Sequence, residues 1–487
     1  MPNDGNYDVA VIGAGIVGTA VAYELANYRI KVAVIEKNDD VAKGTTRANS
    51  AVIHAGYDPP VGTLMAKTNV RGSLLWKQLA ARHNIDYKTV GSLVIAKTES
   101  ELRVIEKLYK QGIANGVEEL RLLTRSETLK IEPNITKEVA GALLAGTAAI
   151  INPWQACIAL AEFASRNGAD FLFGSPVAEI GFHDNCYYIA AGDKPITAKY
   201  IVNAAGNNAG DIHNLAGGNG FGSYAVRGEY YVLDKKQGTH VKRIIFPAPG
   251  PEGKGVLVAP TVHGNLIAGP TADTTQDKDD TSTTSKGQDT VREYASRIVE
   301  NLDFSDNIRN FAGNRAYIGS EDFLVAESSH LKGFINMAGV KSPGLSSAPA
   351  LAELAAEILA GCGLDLIKKE RLTPYAYPKR FAEMSEPEQL EKIKKDPRYG
   401  RVVCRCETVT EAEIVNALAS RLTPSTVAAL KRRVNAGLGR CQGGFCSVRI
   451  HEIIARERNL DWKQVTMDGG ESYIVTDETK TGTRDES

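Results

Sequence analysis

Near the amino terminus, apolar positions form two short unbroken runs separated by a stretch of helical period. Residues 7–12 (YDVAVI) end at a glycine, residues 16–28 repeat their apolar side chains at helical spacing, and residues 31–36 (KVAVIE) form a second run. The pattern predicts a strand, a helix and a strand. Residues 200–206 (YIVNAAG) and 333–340 (GFINMAGV) predict further buried strands, the second leading into an Ala/Leu-rich helix after Leu345. Such unbroken runs suit one parallel sheet covered on both faces. Residues 92–98 (SLVIAKT), 228–234 (GEYYVLD) and 255–269 (GVLVAPTVHGNLIAG) show more alternation and turns, with His263-Gly264-Asn265 read as a hairpin turn. A second, mainly antiparallel domain inserted into the first is therefore expected. Residues 271–288 are polar and apolar-poor, which predicts a mobile loop.

A chain of 487 residues with 43% hydrophobic and 24% charged positions predicts two or three folded domains. Its 57 basic side chains nearly cancel its 58 acidic ones, so no net field recruits nucleic acid or anionic lipid. The apolar stretch at residues 9–23 is broken by glycines and preceded by Asp4 and Asp8. It reads as buried structure rather than a secretory signal or membrane span, and a cytoplasmic protein is expected. Cys157, Cys186 and Cys362 lie singly in apolar surroundings and read as small core residues; Cys404, Cys406, Cys441 and Cys446 cluster late in the chain. From about residue 368 charges and prolines increase, and the polar residues after Met467 are expected to fray.

Gly13-Ala14-Gly15-Ile16-Val17-Gly18 fits G-x-G-x-x-G between the first strand and the helix, and Glu36 closes the next strand. The first glycine permits the tight turn, the second lets a pyrophosphate reach the backbone, the third lets helix and strand pack, and the carboxylate accepts from ribose hydroxyls. Two further stretches favour FAD over NAD. Gly44-Thr45-Thr46-Arg47-Ala48-Asn49-Ser50 offers hydroxyls and amides to a long, bent cofactor. Gly339-Val340-Lys341-Ser342-Pro343-Gly344-Leu345-Ser346 is a loop opening a helix, whose N-terminus, aided by Lys341, stabilises negative charge on a reduced flavin.

VIGAGIVG, Glu36, NSAVIHAGY, VNAAG and AGVKSPGLS together resemble the D-amino-acid oxidase-like flavoprotein superfamily over residues 5–375. The likeness is nearest to the branch with FAD-dependent glycerol-3-phosphate dehydrogenases and L-2-hydroxyglutarate oxidases. It implies an α/β architecture: a Rossmann-like, GR2-type FAD-binding domain (residues 1–85, 150–220 and 330–375) and an inserted α+β substrate domain (86–149 and 221–329). It further implies hydride transfer from a substrate C–H to flavin N5, with cofactor contacts extending to Lys37, Val177, Ala205 and Gly206. An anionic secondary alcohol needs a cation near the flavin. Arg315 is the first choice for a charge-assisted clamp and Arg227 the second. His54, in the segment resembling the flavin-contacting loop, either contacts FAD, helps remove the hydroxyl proton, or is an ordinary hydrogen-bonded histidine. Tyr231 is read as filling a strand face, and His263 has no assigned role.

Cys404-Arg405-Cys406 and Cys441-Gln442-Gly443-Gly444-Phe445-Cys446 give a C-x-C pair and a C-x4-C pair joined by a helical spacer. Four thiolates brought together suit tetrahedral zinc or a 2Fe-2S cluster, and zinc prefers C-x2-4-C pairs. Thr408 or Thr410 with Glu411 and Glu413 reads as a helix start, and Gly437-Leu438-Gly439 turns the chain back. The region resembles the bacterioferritin-associated ferredoxin-like 2Fe-2S domain, which sets residues 376–398 as linker, 399–465 as the cluster domain and 466–487 as polar tail. Arg405, Arg432, Arg433 and Arg440 read as a solvated basic face, as balance for cluster charge, or as a dock for an acidic partner. RGEYY and VIHAG are similar to L-2-hydroxyglutarate enzymes, the cysteine region to anaerobic glycerol-3-phosphate dehydrogenases. The latter implies glycerol-3-phosphate as substrate and a second electron-transfer subunit or carrier as partner. Alternatives are L-2-hydroxyglutarate oxidation and a non-catalytic electron-transfer subunit.

Overall fold

The computed structural model describes residues 5–192, 194–250, 253 and 255–477. The chain divides into two compact units, one running to Tyr377 and the other beginning at Pro378.

In the first unit, strand Asn6–Ile12 lies between Val32–Ile35 and Lys194–Asn203, parallel to both. Val32–Ile35 pairs in parallel with Ala169–Leu172, and the end of Lys194–Asn203 pairs in parallel with Phe334–Ala338. The four apolar runs thus meet in one parallel sheet, extended by antiparallel strands Val177–His183, Cys186–Ala191 and Leu324–Glu327. Val9, Val11, Val34 and Ile201 are fully buried, as strands with covered faces require. Helix Ile16–Leu25 packs against Pro153–Arg166 and Gly344–Gly361, and Leu64–His83 crosses the last of these. That crossing depends on Gly72, where a Cβ would stand 2.1 Å from the Ser346 carbonyl oxygen.

The second sheet has nine strands among the described residues, all antiparallel except the parallel pair Ile244–Pro247 and Ser92–Ala96. Tyr224–Leu233 pairs along its length with Asn307–Tyr317. Leu257–Pro260 and Leu266–Gly269 form the predicted hairpin, with Gly264 at φ +83°. Because its strands come from residues 92–145 and 224–317, this sheet is inserted twice into the chain that builds the first.

Two expectations are corrected in this unit. The stretch 271–288 contains strand Asp273–Thr275 and the start of helix Ser285–Ser296. Buried Glu229 holds it, accepting from Thr284 N and Oγ1, both at 2.8 Å, and from Gln288 Nε2 at 3.1 Å. Local polarity concealed these long-range partners. Cys186 and Cys362 are only half-buried, unlike Cys157. Cys186 begins a strand just after a turn, where its apolar neighbours in sequence do not enclose it.

In the second unit, helices Glu411–Leu418, Val427–Val434 and Ser447–Arg458 enclose Ile414, Leu418, Leu430, Ile450 and Ile454. Thr410, not Thr408, caps the first helix in a capping box with Glu413. The segment expected as a linker contains helix Glu386–Lys395, started by a capping box of Ser385 and Glu388. Up to residue 477 the tail is tied back by Ala428 N donating to Met467 O at 2.8 Å and by the ion pairs Arg432–Asp468 at 3.3 Å and Lys463–Asp477 at 2.9 Å. Residues 478–487 lie outside the described residues.

Candidate active site and cysteine centre

A cavity of 1890 Å³ opens in the first unit. That exceeds a typical small-ligand site and accommodates a dinucleotide with a substrate beside it. Gly13, Gly15, Ile16, Glu36, Lys37, Thr45, Thr46, Asn49, Ser50, Val177, Ala205 and Gly206 all line it. Gly13 takes φ +105°, and a Cβ there would lie 2.5 Å from Ala204 O. Gly18 does not line the cavity. It packs helix on strand, since its Cβ would stand 1.9 Å from Gly13 O. Glu36 fixes the glycine loop: Oε2 accepts from Ala14 N at 2.8 Å, and Oε1 accepts from Asn38 N at 2.9 Å and Nδ2 at 2.6 Å. Lys37 is ion-paired with Asp279 at 3.3 Å.

Lys341, Pro343, Gly344 and Leu345 line the cavity at its other end. Neither N-cap residue, Gly15 or Pro343, supplies a side-chain cap to helix Ile16–Leu25 or Gly344–Gly361, although Thr46 Oγ1 accepts from Ile16 N at 2.9 Å. Both helix N-termini face one cavity and leave partial positive charge for an anion there. This donor set, with the glycine cradle, fits FAD. Gly339 and Ser346 stand behind the wall: Gly339 takes φ +66° against Ile318, and the fully buried Ser346 accepts from His54 N at 2.8 Å.

His54 lines the cavity with its backbone clamped by Ser346 and by Asn69 Nδ2, which donates to its carbonyl at 2.6 Å. Its ring packs on Phe246 at 5.8 Å, and Nε2 is 3.4 Å from Ser342 Oγ. Arg315 also lines the cavity. Its Nη2 donates to the Thr271 carbonyl, and its Nε is buried without a hydrogen-bond partner. Arg227 is differently occupied: Nη1 donates to Asp280 at 2.5 Å and Ser282 at 3.2 Å, and Nη2 lies 3.8 Å from Glu229. It too lines the cavity with a buried, unpartnered Nε, but its two Nη groups tie down residues 280–282 and face Glu229 rather than presenting an open fork. Lys341 Nζ lies 3.2 Å from Ser320 O and 4.5 Å from the Tyr317 ring centre.

Tyr230 was missed in the sequence. It lines the cavity, stacks on Phe311 at 4.6 Å and shares a hydrogen bond with Ser50 at 3.2 Å. Burial pushes its phenol up, while Arg315 pulls it down. Strand alternation carries the signal: Gly228 and Tyr230 share one face, whereas Tyr231 packs in the core beneath helix Ser285–Ser296. His263 meets Asn152 Nδ2 at 3.1 Å and has no place in the cavity lining.

In the second unit, Cys404 Sγ lies 3.8 Å from Cys406 Sγ, which lies 3.9 Å from Cys441 Sγ. Cys446 hydrogen-bonds Cys404, which with backbone N–H groups of Gly437 and Glu407 holds the Cys404 thiol down to about 5. Metal–sulfur bonds of about 2.3 Å in a tetrahedron place sulfurs about 3.8 Å apart, the spacing of these two neighbouring pairs. Gly439 permits the closure, since a Cβ there would be 2.6 Å from Cys406 Sγ. Arg432 and Arg433 do not form a solvated face. Both are buried, the first paired with Asp468 at 3.3 Å and the second donating to Ala429 O at 3.1 Å.

Comparison with known proteins matches residues 8–358 to FAD dependent oxidoreductases (DAO) and residues 402–456 to the BFD-like [2Fe-2S] binding domain. A glycerol 3-phosphate dehydrogenase of Caloramator mitchellensis is 47% identical, covering 97% of this chain and 99% of its own length. A glycerol 3-phosphate oxidase of Mycoplasma pneumoniae is 32% identical, covering 72% and 94%. The structure of dithionite-reduced L-α-glycerophosphate oxidase from that organism, with FAD bound, superposes with a TM-score of 0.73 at 32% identity, covering 77% of this chain and 99% of its own.

Proposed function

Because the chain belongs to the FAD dependent oxidoreductase family and ends in a BFD-like [2Fe-2S] binding domain, we propose that it oxidises sn-glycerol 3-phosphate to dihydroxyacetone phosphate and releases the electrons singly through the cluster. The observation that carries this reading is Arg315, which lines the cavity together with His54 and forms no ion pair among the described residues. The curated relative similar over nearly the whole chain, cysteine region included, supports the same substrate.

FAD, when bound, supplies the two-electron acceptor for the hydrogen at the alcohol carbon. Arg315 binds the phosphate, and its bond to the Thr271 carbonyl sets the guanidinium plane before substrate arrives. His54 Nε2 takes the hydroxyl proton, with Ser346, Asn69 and Phe246 holding the residue in place. Tyr230 and Phe311, stacked at an interplanar angle of 10°, wall the site.

Anaerobic addition of glycerol 3-phosphate should bleach the flavin absorbance, and L-2-hydroxyglutarate should not. Bleaching by neither leaves the chain without this activity. Arg315→Ala should retain FAD while raising the concentration for half-bleaching about thirty- to several-hundredfold, the loss of a buried charge-assisted contact of ~2–4 kcal/mol. An unchanged titration removes Arg315 from the substrate site.

A further inference from the structure

Phe445, inside the C-x4-C loop, is 85% exposed, and Val448, one helical turn on, is 59% exposed. Phe445 occupies the position from which a hydrophobic residue commonly packs back on the fourth residue of a helix. Here that residue, Ile450, is covered by the core of the unit, in which Phe445 takes no part. Beside the phenylalanine, Cys406 reaches the surface, as do Arg405 and Arg440, which form no ion pair among the described residues. Arg449 is 73% exposed and paired with Glu452 at 3.1 Å; Glu407 is half-buried. Phe445, Arg405 and Arg440 each adjoin one of the four cysteines in the chain, so an exposed aromatic and two cations without ion pairs among the described residues stand at the surface of the cysteine centre.

We propose that this face is the docking site for an acidic one-electron carrier protein of the haem or iron-sulfur class. The inference rests on the reading that electrons leave through the cluster. Oxidation of one secondary alcohol to a ketone releases two electrons and two protons, so two oxidised carriers are each reduced by one electron and the protons pass to solvent. A carrier bound over Cys406 sits against the exposed edge of the centre. Phe445 supplies the desolvated anchor, and Arg405 and Arg440 supply steering and orientation. Cluster charge alone gives the arginines a use but leaves Phe445 unexplained.

The test uses oxidised holoenzyme with two haem proteins of opposite charge, acidic cytochrome b5 and basic cytochrome c. Calorimetric titration should show cytochrome b5 binding that weakens with salt, and Phe445→Ser and the pair Arg405→Gln/Arg440→Gln should each weaken it about tenfold or more. After glycerol 3-phosphate is added, cytochrome b5 reduction should slow in the same variants, while iron content, flavin bleaching and the reduced-cluster resonance stay unchanged. Equal binding of both cytochromes, unaltered binding in the variants, or loss of substrate-driven cluster reduction in them overturns the proposal. So does variant-sensitive binding to phosphatidylglycerol vesicles with none to cytochrome b5, which would make the face a lipid contact. If substrate never reduces the cluster in the unaltered protein, the electron route fails by itself, and the calorimetric titration still decides the surface.

Discussion

Gly228 lies on the cavity face of its strand, where a Cβ would come within 2.3 Å of Arg315 Nη2 and 2.6 Å of Pro270 Cβ. The guanidinium occupies the space a side chain would fill. Gly228→Ala should therefore displace Arg315 without touching the cofactor cradle, raising KM for glycerol 3-phosphate about tenfold or more with little change in kcat and full FAD retention. Equal loss of kcat and FAD would mark Gly228 as merely structural. The arginine type was readable in the sequence because its chemistry suits an anion. What separates Arg315 from Arg227 was not readable: Asp280 and Glu229 claim the latter, and neither pairing follows from local pattern. Tyr230 and Tyr231 are adjacent and chemically equal, and only strand register assigns one to the cavity and one to the core.

At the scale of elements, helix Leu64–His83 ends at a buried histidine. His83 Nδ1 lies 2.7 Å from Tyr375 O and Nε2 3.2 Å from the Tyr23 hydroxyl. Desolvation is the largest cause holding its imidazole below the usual 6.5, and burial does the same to His213. The folded state then binds fewer protons than the unfolded chain. The stabilisation is complete above the unfolded value and shrinks as pH falls below it. The thermal midpoint should drop between about pH 7.5 and about pH 5.5, and His83→Gln should flatten that drop; an identical pH slope in the variant would exclude His83. The glycine loop, the helix starts and the capping box at Thr410 were legible because their causes lie within a few residues. The ordering of residues 271–288 was not, because Glu229 and Asn314 act on it from distant strands, Asn314 Nδ2 donating to Asp280 O at 2.8 Å.

On the scale of the whole molecule, the cofactor cavity is lined by residues of the first unit and the four cysteines belong to the second. Cys446 is buried and one of the four cysteines proposed to hold the cluster, and Cys446→Ser removes its thiol. It should lower iron and acid-labile sulfide sharply while glycerol 3-phosphate still bleaches the flavin; equal loss of flavin reduction would make the centres interdependent. Purified protein should hold iron and sulfide rather than zinc, which metal analysis decides.

By itself the sequence determined the elements with local causes: the strand-glycine loop-helix unit, the parallel strands as unbroken apolar runs, and a four-thiol centre in two close pairs. The tertiary structure alone decided which polar side chains keep free valence in the cavity. Arg315 forms no ion pair among the described residues, Arg227 is held by Asp280, and Phe445 is left in solvent. The reason is range. Backbone propensity and period are set by neighbours along the chain, whereas pairing, burial and exposure depend on groups brought together only when distant segments pack.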